Sequence, residues 1–176
     1  MDKCVLDLPW FGFEMTLFSG ISVKQLIRTI IDLNSAGTET TTNTLIWNII
    51  YLLHHPDVME KVQEEIDRVL GRNKTPSMKD KQSLPYVEAT ILEVERLATV
   101  LALGVPHTVL EDVEFKGYTI PKGTTVISNL YAAHRDERTW DEPDEFQPCR
   151  FLDENGQIVR REELIPFSIG KNLFLL

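Results

Sequence analysis

Ala36-Gly37-Thr38-Glu39-Thr40-Thr41 lies halfway along an apolar segment, Ser22 to His54, that reads as one long helix. An acid and several hydroxyls in the middle of such a helix are costly. A buried polar group without a partner costs roughly 1–3 kcal/mol, so the cluster is either satisfied internally or put to use. Ala36 and Thr40 are four residues apart and share a face; Gly37 is three before Thr40, on nearly the same face. The two small residues let a flat or bulky group approach the backbone, although Gly37 weakens the helix by about 1 kcal/mol relative to alanine. Thr40 can bond back to the carbonyl of Ala36, and Glu39 sets a proton-exchanging group beside that hydroxyl. On these six residues alone two readings stay open. One is a close helix crossing with self-capped threonines; the other is a site.

The helix opens on Ser22-Val23-Lys24-Gln25, a capping box. Leu26, Ile27, Ile30, Ile31 and Leu33 follow, then Leu45, Ile46, Trp47, Ile49, Ile50, Leu52 and Leu53. Apolar residues on most sides predict a buried helix, on the order of 50 Å long. Ahead of it, residues 1–21 have no period and read as an irregular lead-in. His54-His55-Pro56 ends the helix, because the residue before a proline disfavours the helical region. The two histidines point about 100° apart and are poor co-ligands for one metal.

Pro56 then starts a second helix, with Val58, Val62, Ile66 and Val69 as its stripe and Gly71 as its cap. Residues 72–83 are loop-like, with one short turn from Ser77. Leu84-Pro85 opens a third helix, Tyr86 to about Ala98, in which Glu93 and Arg96 can meet across one turn. After Pro106 the period becomes two. Val113-Glu114-Phe115, Tyr118-Thr119-Ile120 and Thr124 to Leu130 read as short strands joined by tight turns. Asp136 to Arg150 is a coil rich in Pro, Asp, Glu and aromatics, a long irregular stretch of a kind kept when it is functional or well packed.

Composition bounds the function. The chain has 176 residues, 43% hydrophobic, with a net charge of −9 and no basic stripe, which argues against a nucleic-acid partner. Cys4 and Cys149 build neither a disulfide framework nor a zinc site, which suits a reducing compartment or a cytosol-facing domain. No apolar run reaches the roughly 18–20 residues of a membrane span. No basic start with an apolar core marks a signal peptide. Asn73-Lys74-Thr75 reads as an idle loop tripeptide. His134-Arg135-Asp136 invites a kinase reading, but no glycine-rich loop precedes it and no Asp-Phe-Gly follows.

Four segments, in order, resemble the cytochrome P-450 heme-thiolate monooxygenases, most closely the microsomal animal type. Ala36 to Thr41 is similar to the family's oxygen-binding helix and Glu93-x-x-Arg96 to its Glu-x-x-Arg helix. Pro148-Cys149-Arg150-Phe151 is similar to its Pro-x-Arg-Phe element, and Pro166-Phe167-Ser168-Ile169-Gly170 to the start of the heme-binding loop. Tyr118 to Gly123, and the coil with His134, Trp140, Pro143 and Phe146, fall between them as in the family.

The resemblance implies a mainly α fold with a small β portion. Residues 1–21 would be an unmatched lead-in and residues 22–176 a partial cytochrome P-450 catalytic domain. It implies heme as cofactor, with Ala36, Gly37, Thr40, His107, Phe167 and Gly170 at the cofactor and Glu39 and Thr40 as the catalytic proton relay. His107 is equally read as an ordinary surface or core residue. Glu93, Arg96 and Arg150 would form a buried structural cluster of one carboxylate and two guanidiniums.

The implied partners are a hydrophobic substrate such as a fatty acid, steroid or xenobiotic, and the NADPH-cytochrome reductase. The implied place is the cytosolic face of the endoplasmic reticulum membrane; the cytosol stays open, because no anchor is read in these residues.

One departure matters. Aligned without gaps, Lys171 fits, but Asn172 stands where the family's arginine belongs and Phe174 where its iron-ligating cysteine belongs. The expectation is a truncated, inactive chain that holds no iron through a thiolate. The alternative is a non-catalytic interaction fragment that binds a reductase or a full-length paralogue.

Overall fold

The computed structural model describes residues 22–169 and the two short strands β1 (Val5–Leu6) and β2 (Met15–Thr16), which pair antiparallel. The remainder of the lead-in and Gly170 to Leu176 lie outside the described residues. The chain divides into two compact units, Met1–Thr42 and Asn43–Leu176, with the boundary inside the first helix.

That helix, α1 (Val23–His54), starts where the capping box places it. Gln25 Oε1 accepts the Ser22 N–H at 2.8 Å, and Ser22 Oγ accepts the Gln25 N–H at 3.3 Å. The expectation of a buried helix is corrected: α1 buries none of its residues. A helix apolar on most sides needs neighbours on several faces, and among the described residues α1 does not have them.

The second unit is organised around α3 (Pro85–Ala98). One core joins Val58 and Val62 of α2 (Pro56–Leu70) to Val94 and Leu97 of α3 and Phe146 of the coil, with Tyr51 and Leu52 from the end of α1 packed against them. A second sets Ala89 of α3 against Trp140 and Phe151. Each fully buried side chain of this kind contributes about 1.5–3 kcal/mol, so α3 is held on one side by a helix and on the other by coil.

The sequence shows why α2 stops. Gly71 sits at φ +65, and its N–H bonds Asp67 O at 3.0 Å. Between α2 and α3, a 3-10 turn spans Met78–Ser83, opened by Ser77, whose N–H and hydroxyl both reach Asp80 Oδ2.

Beyond β1–β2, the β portion is two further small antiparallel pairs. β3 (His107–Thr108) pairs with β6 (Thr125–Val126), and β4 (Val113–Phe115) with β5 (Tyr118–Ile120). The β4–β5 turn is Lys116-Gly117, both at positive φ, which matches the right-handed twist of a two-residue hairpin. The strand expected from Thr124 to Leu130 is shorter. Asn129 Oδ1 accepts the Ala132 N–H at 3.0 Å and caps a short helix, α4 (Leu130–Ala133), which takes Leu130 out of the strand. The fold is mainly α with a small β part, and no helix of the described residues is long and apolar enough to cross a membrane.

Candidate functional site

Glu93 and Arg96 face the coil from adjacent turns of α3, both fully buried. Arg96 Nε donates to Glu93 Oε2 at 2.7 Å and Nη2 to Oε1 at 2.8 Å, a fork-on-fork pair. Glu93 Oε1 also accepts from Arg150 Nε at 2.9 Å and from the Gln147 N–H at 3.0 Å. Two guanidiniums thus share one carboxylate, and carbonyl dipoles take up the excess positive charge. Arg96 Nη1 bonds the carbonyls of His134 and Pro143, and Nη2 that of Glu145. Arg150 bonds those of Asp141, Glu142 and Glu145. All five N–H groups of Arg96 are used. A lysine has three donors and no fork, so only arginine satisfies this set. The cluster pins the coil to α3.

Beside the cluster lie three more polar groups, His134, Thr99 and Arg135. His134 is fully buried. Its Nε2 accepts the Ile165 N–H at 3.0 Å, and Nδ1 lies 3.2 Å from Thr99 Oγ1. Burial, with Arg96 and then Arg135 beside it, holds its pKa down at about 4. Thr99 ends α3 in the left-handed region at φ 38, with its hydroxyl donating to Arg96 O at 2.6 Å. Arg135 stacks 4.0 Å from the Tyr131 ring centre and donates to Leu97 O and Asp144. No spacing pattern marks these partners, because most acceptors are backbone carbonyls far along the chain.

In the first unit, Thr40 Oγ1 donates to Ala36 O at 2.6 Å, the back-bond expected from the sequence. A methyl group at Gly37 would meet nothing within 4 Å, and Glu39 is exposed. In the second unit, His107 is half-buried on β3, opposite Val126. Phe167 is 80% exposed. Ser168 N–H closes a turn onto Ile165 O at 2.9 Å. Gly170, Lys171, Asn172 and Phe174 lie outside the described residues.

Among the described residues no group of three or more His, Cys, Asp or Glu side chains could hold a metal ion. Cys149 is a free, exposed thiol in the 3-10 turn Pro148–Phe151, next to the arginine that Glu93 holds. Its surroundings are solvent, not the enclosed apolar wall a thiolate-held heme requires. Among the described residues, this exposed thiol is not placed to hold a heme iron as thiolate.

A profile of the family described as Cytochrome P450 matches residues 14–172. Cytochrome P450 2U1 of Homo sapiens is 50% identical over 155 residues, which are 88% of this chain and 28% of that protein. Cytochrome P450 2J2 of Homo sapiens is 46% identical over 157 residues, 89% of this chain and 31% of that protein. The steroid 17-alpha-hydroxylase/17,20 lyase of Squalus acanthias is 45% identical over 159 residues, again 89% and 31%. The chain spans about three tenths of the length of these curated relatives. With a family profile matched over most of its length, on the segments that carry the Glu93 cluster and the Thr40 helix, the chain belongs to the cytochrome P450 family.

Proposed function

We propose that residues 22–176 are part of the catalytic domain of a heme-thiolate monooxygenase that oxidises a hydrophobic small molecule, and that the 176-residue chain by itself neither holds heme through a thiolate nor turns over. The substrate class is a fatty acid, a steroid or a xenobiotic; the hydroxylase name of one relative supports the steroid option. Heme, which the family implies, supplies oxygen activation when bound. In that setting Ala36 and Gly37 leave room beside the helix, and Glu39 and Thr40 hold and pass protons. The Thr40 hydrogen points at Ala36 O in this geometry, so passing it on requires the hydroxyl to rotate away first. His107, Phe167 and Gly170 are assigned to the cofactor. Glu93, Arg96 and Arg150 serve the scaffold. Electrons come from the NADPH-cytochrome reductase, at the cytosolic face of the endoplasmic reticulum.

The observation that carries the inactive half of this proposal is the placement of Cys149, exposed and fixed beside Arg150. Phe174, at the aligned cysteine position, cannot ligate iron. The test is a reduced carbon-monoxide difference spectrum of the purified chain supplied with heme. No thiolate-type Soret band is expected, and such a band would overturn the proposal.

A second reading, an interaction fragment that binds a reductase or a full-length paralogue, is favoured by one observation. In the second unit Leu45, Ile46, Trp47, Ile49 and Leu53 are all exposed, a long apolar face of a kind that seeks a partner. Absence of association in a pull-down with the full-length paralogue would count against it.

A further inference from the structure

The strongest unassigned feature is a run of three hydrogen bonds that leaves the buried cluster and ends at the segment carrying Phe167. A backbone N–H can only donate, so the bond from Ile165 N–H requires a lone pair on His134 Nε2. The ring proton then sits on Nδ1 and is donated to Thr99 Oγ1. Thr99 in turn donates its own hydrogen to Arg96 O. All three bonds run the same way, so each donor polarises the next. Arg96 also holds His134 by its main chain, through Nη1 to the His134 carbonyl at 2.8 Å. The Glu93 cluster therefore grips this histidine by both backbone and ring. At the far end, Ile165 is the first residue of the turn closed by Ser168, and Phe167 and Ile169 project from it, each 80% exposed.

We infer that His134 is a positioning residue whose Nδ1–H tautomer ties the turn Ile165–Ser168, and so the placement of Phe167, to the Glu93–Arg96 cluster. The alternative is that His134 only fills space, with the turn held by Leu164, which packs on the Trp140–Phe151 core. The two differ in what the ring nitrogens must do. A space-filling ring is indifferent to its tautomer; a tether is not. Both ends of the tether are protein groups, so it holds whether or not the chain ever carries heme.

The test uses the full chain labelled with 15N. Long-range proton–nitrogen correlation on the wild type should show Nδ1 protonated and Nε2 bare; an Nε2–H tautomer overturns the assignment even if every variant fails to fold. Amide exchange then separates the two ends of the ring. In His134→Gln the amide oxygen reaches the position of Nε2 and can accept from Ile165. In His134→Asn the amide reaches only the Nδ1 position, on the Thr99 side. Ile165 should exchange about tenfold faster in the Asn variant and near the wild-type rate in the Gln variant, with the Val94 amide unchanged in both. Equal protection of Ile165 in the two variants would reject the tether, as would parallel loss at Ile165 and Val94.

Discussion

Glu65 Oε2 accepts the backbone N–H of Val87 at 2.9 Å, so a side chain of α2 caps the first turn of α3. The residue before α3, Leu84, makes no side-chain cap bond of its own, and α3 borrows its cap from the neighbouring helix. Glu65 is 7% exposed, which shields the bond from water. The carboxylate also sits at the positive end of the α3 dipole. We predict that Glu65→Ala lowers stability by about 1–2 kcal/mol and that Glu65→Gln, whose amide oxygen still accepts, loses less. Urea denaturation of both variants checks this, and equal losses would remove the cap as the cause.

The Glu93 cluster should be the least tolerant part of the chain. Glu93→Gln leaves two buried guanidiniums without a counter-charge, and Arg96→Lys leaves carbonyls without donors. Each should cost about 3–5 kcal/mol, a large share of the roughly 5–15 kcal/mol that holds an ordinary domain together. Arg150→Ala should cost less, because the Arg150 side chain is 8% exposed and water can reach some of the freed carbonyls. Thermal melts followed by circular dichroism give the order. An Arg150 variant as damaged as the Glu93 variant contradicts it.

His134 makes stability depend on pH. Its folded pKa, about 4, lies below its ordinary 6.5. Between those values the unfolded chain binds the proton and the folded chain does not. Stability from this group is therefore complete above about pH 6.5, falls as the pH drops towards 4, and changes no further below that. The total is on the order of 3 kcal/mol. Carboxylates also titrate at the lower end of this window, so the check is the difference between wild type and His134→Gln. The wild-type curve should be steeper from pH 6.5 to 4.5, and parallel curves would sink the prediction.

Cys149 should react freely. In a Cys4→Ser background, the folded chain should titrate one thiol with a disulfide reagent without prior unfolding, and the label should leave the melting curve unchanged. Protection of Cys149 in the folded state would contradict its exposed position in the Pro148–Phe151 turn.

Much of this architecture is legible in the sequence because it rests on local chemistry. Ser22 with Gln25, Pro56, Gly71 and Pro85 mark helix ends by rules that span only a few residues, and the helices begin and end there. Lys116-Gly117 marks its hairpin in the same way. Other features are not legible, for physical reasons. The His134 ring meets Thr99 and Ile165 at sequence distances of 35 and 31 residues. Glu65 reaches Val87 across 22. Their partners are backbone groups or single hydroxyls, which carry no compositional signal. The burial expected for α1 failed because a hydrophobic pattern records what a helix needs, and says nothing of whether the neighbours lie in the same stretch of chain.

The five-donor saturation of Arg96 has a kinetic consequence. Its pairing with Glu93 is local, but its carbonyl partners His134, Pro143 and Glu145 stand 38, 47 and 49 residues away. Closing chain loops of that length is entropically unfavourable until the contacts at their ends exist. We predict that helix α3 forms before the coil docks on it. In a chain with Trp140 as its sole tryptophan, indole fluorescence should lag the helical circular dichroism signal after stopped-flow refolding. The arginine would then act as a template as well as a fastener: a coil that docks last meets three N–H groups whose carbonyl partners it alone supplies.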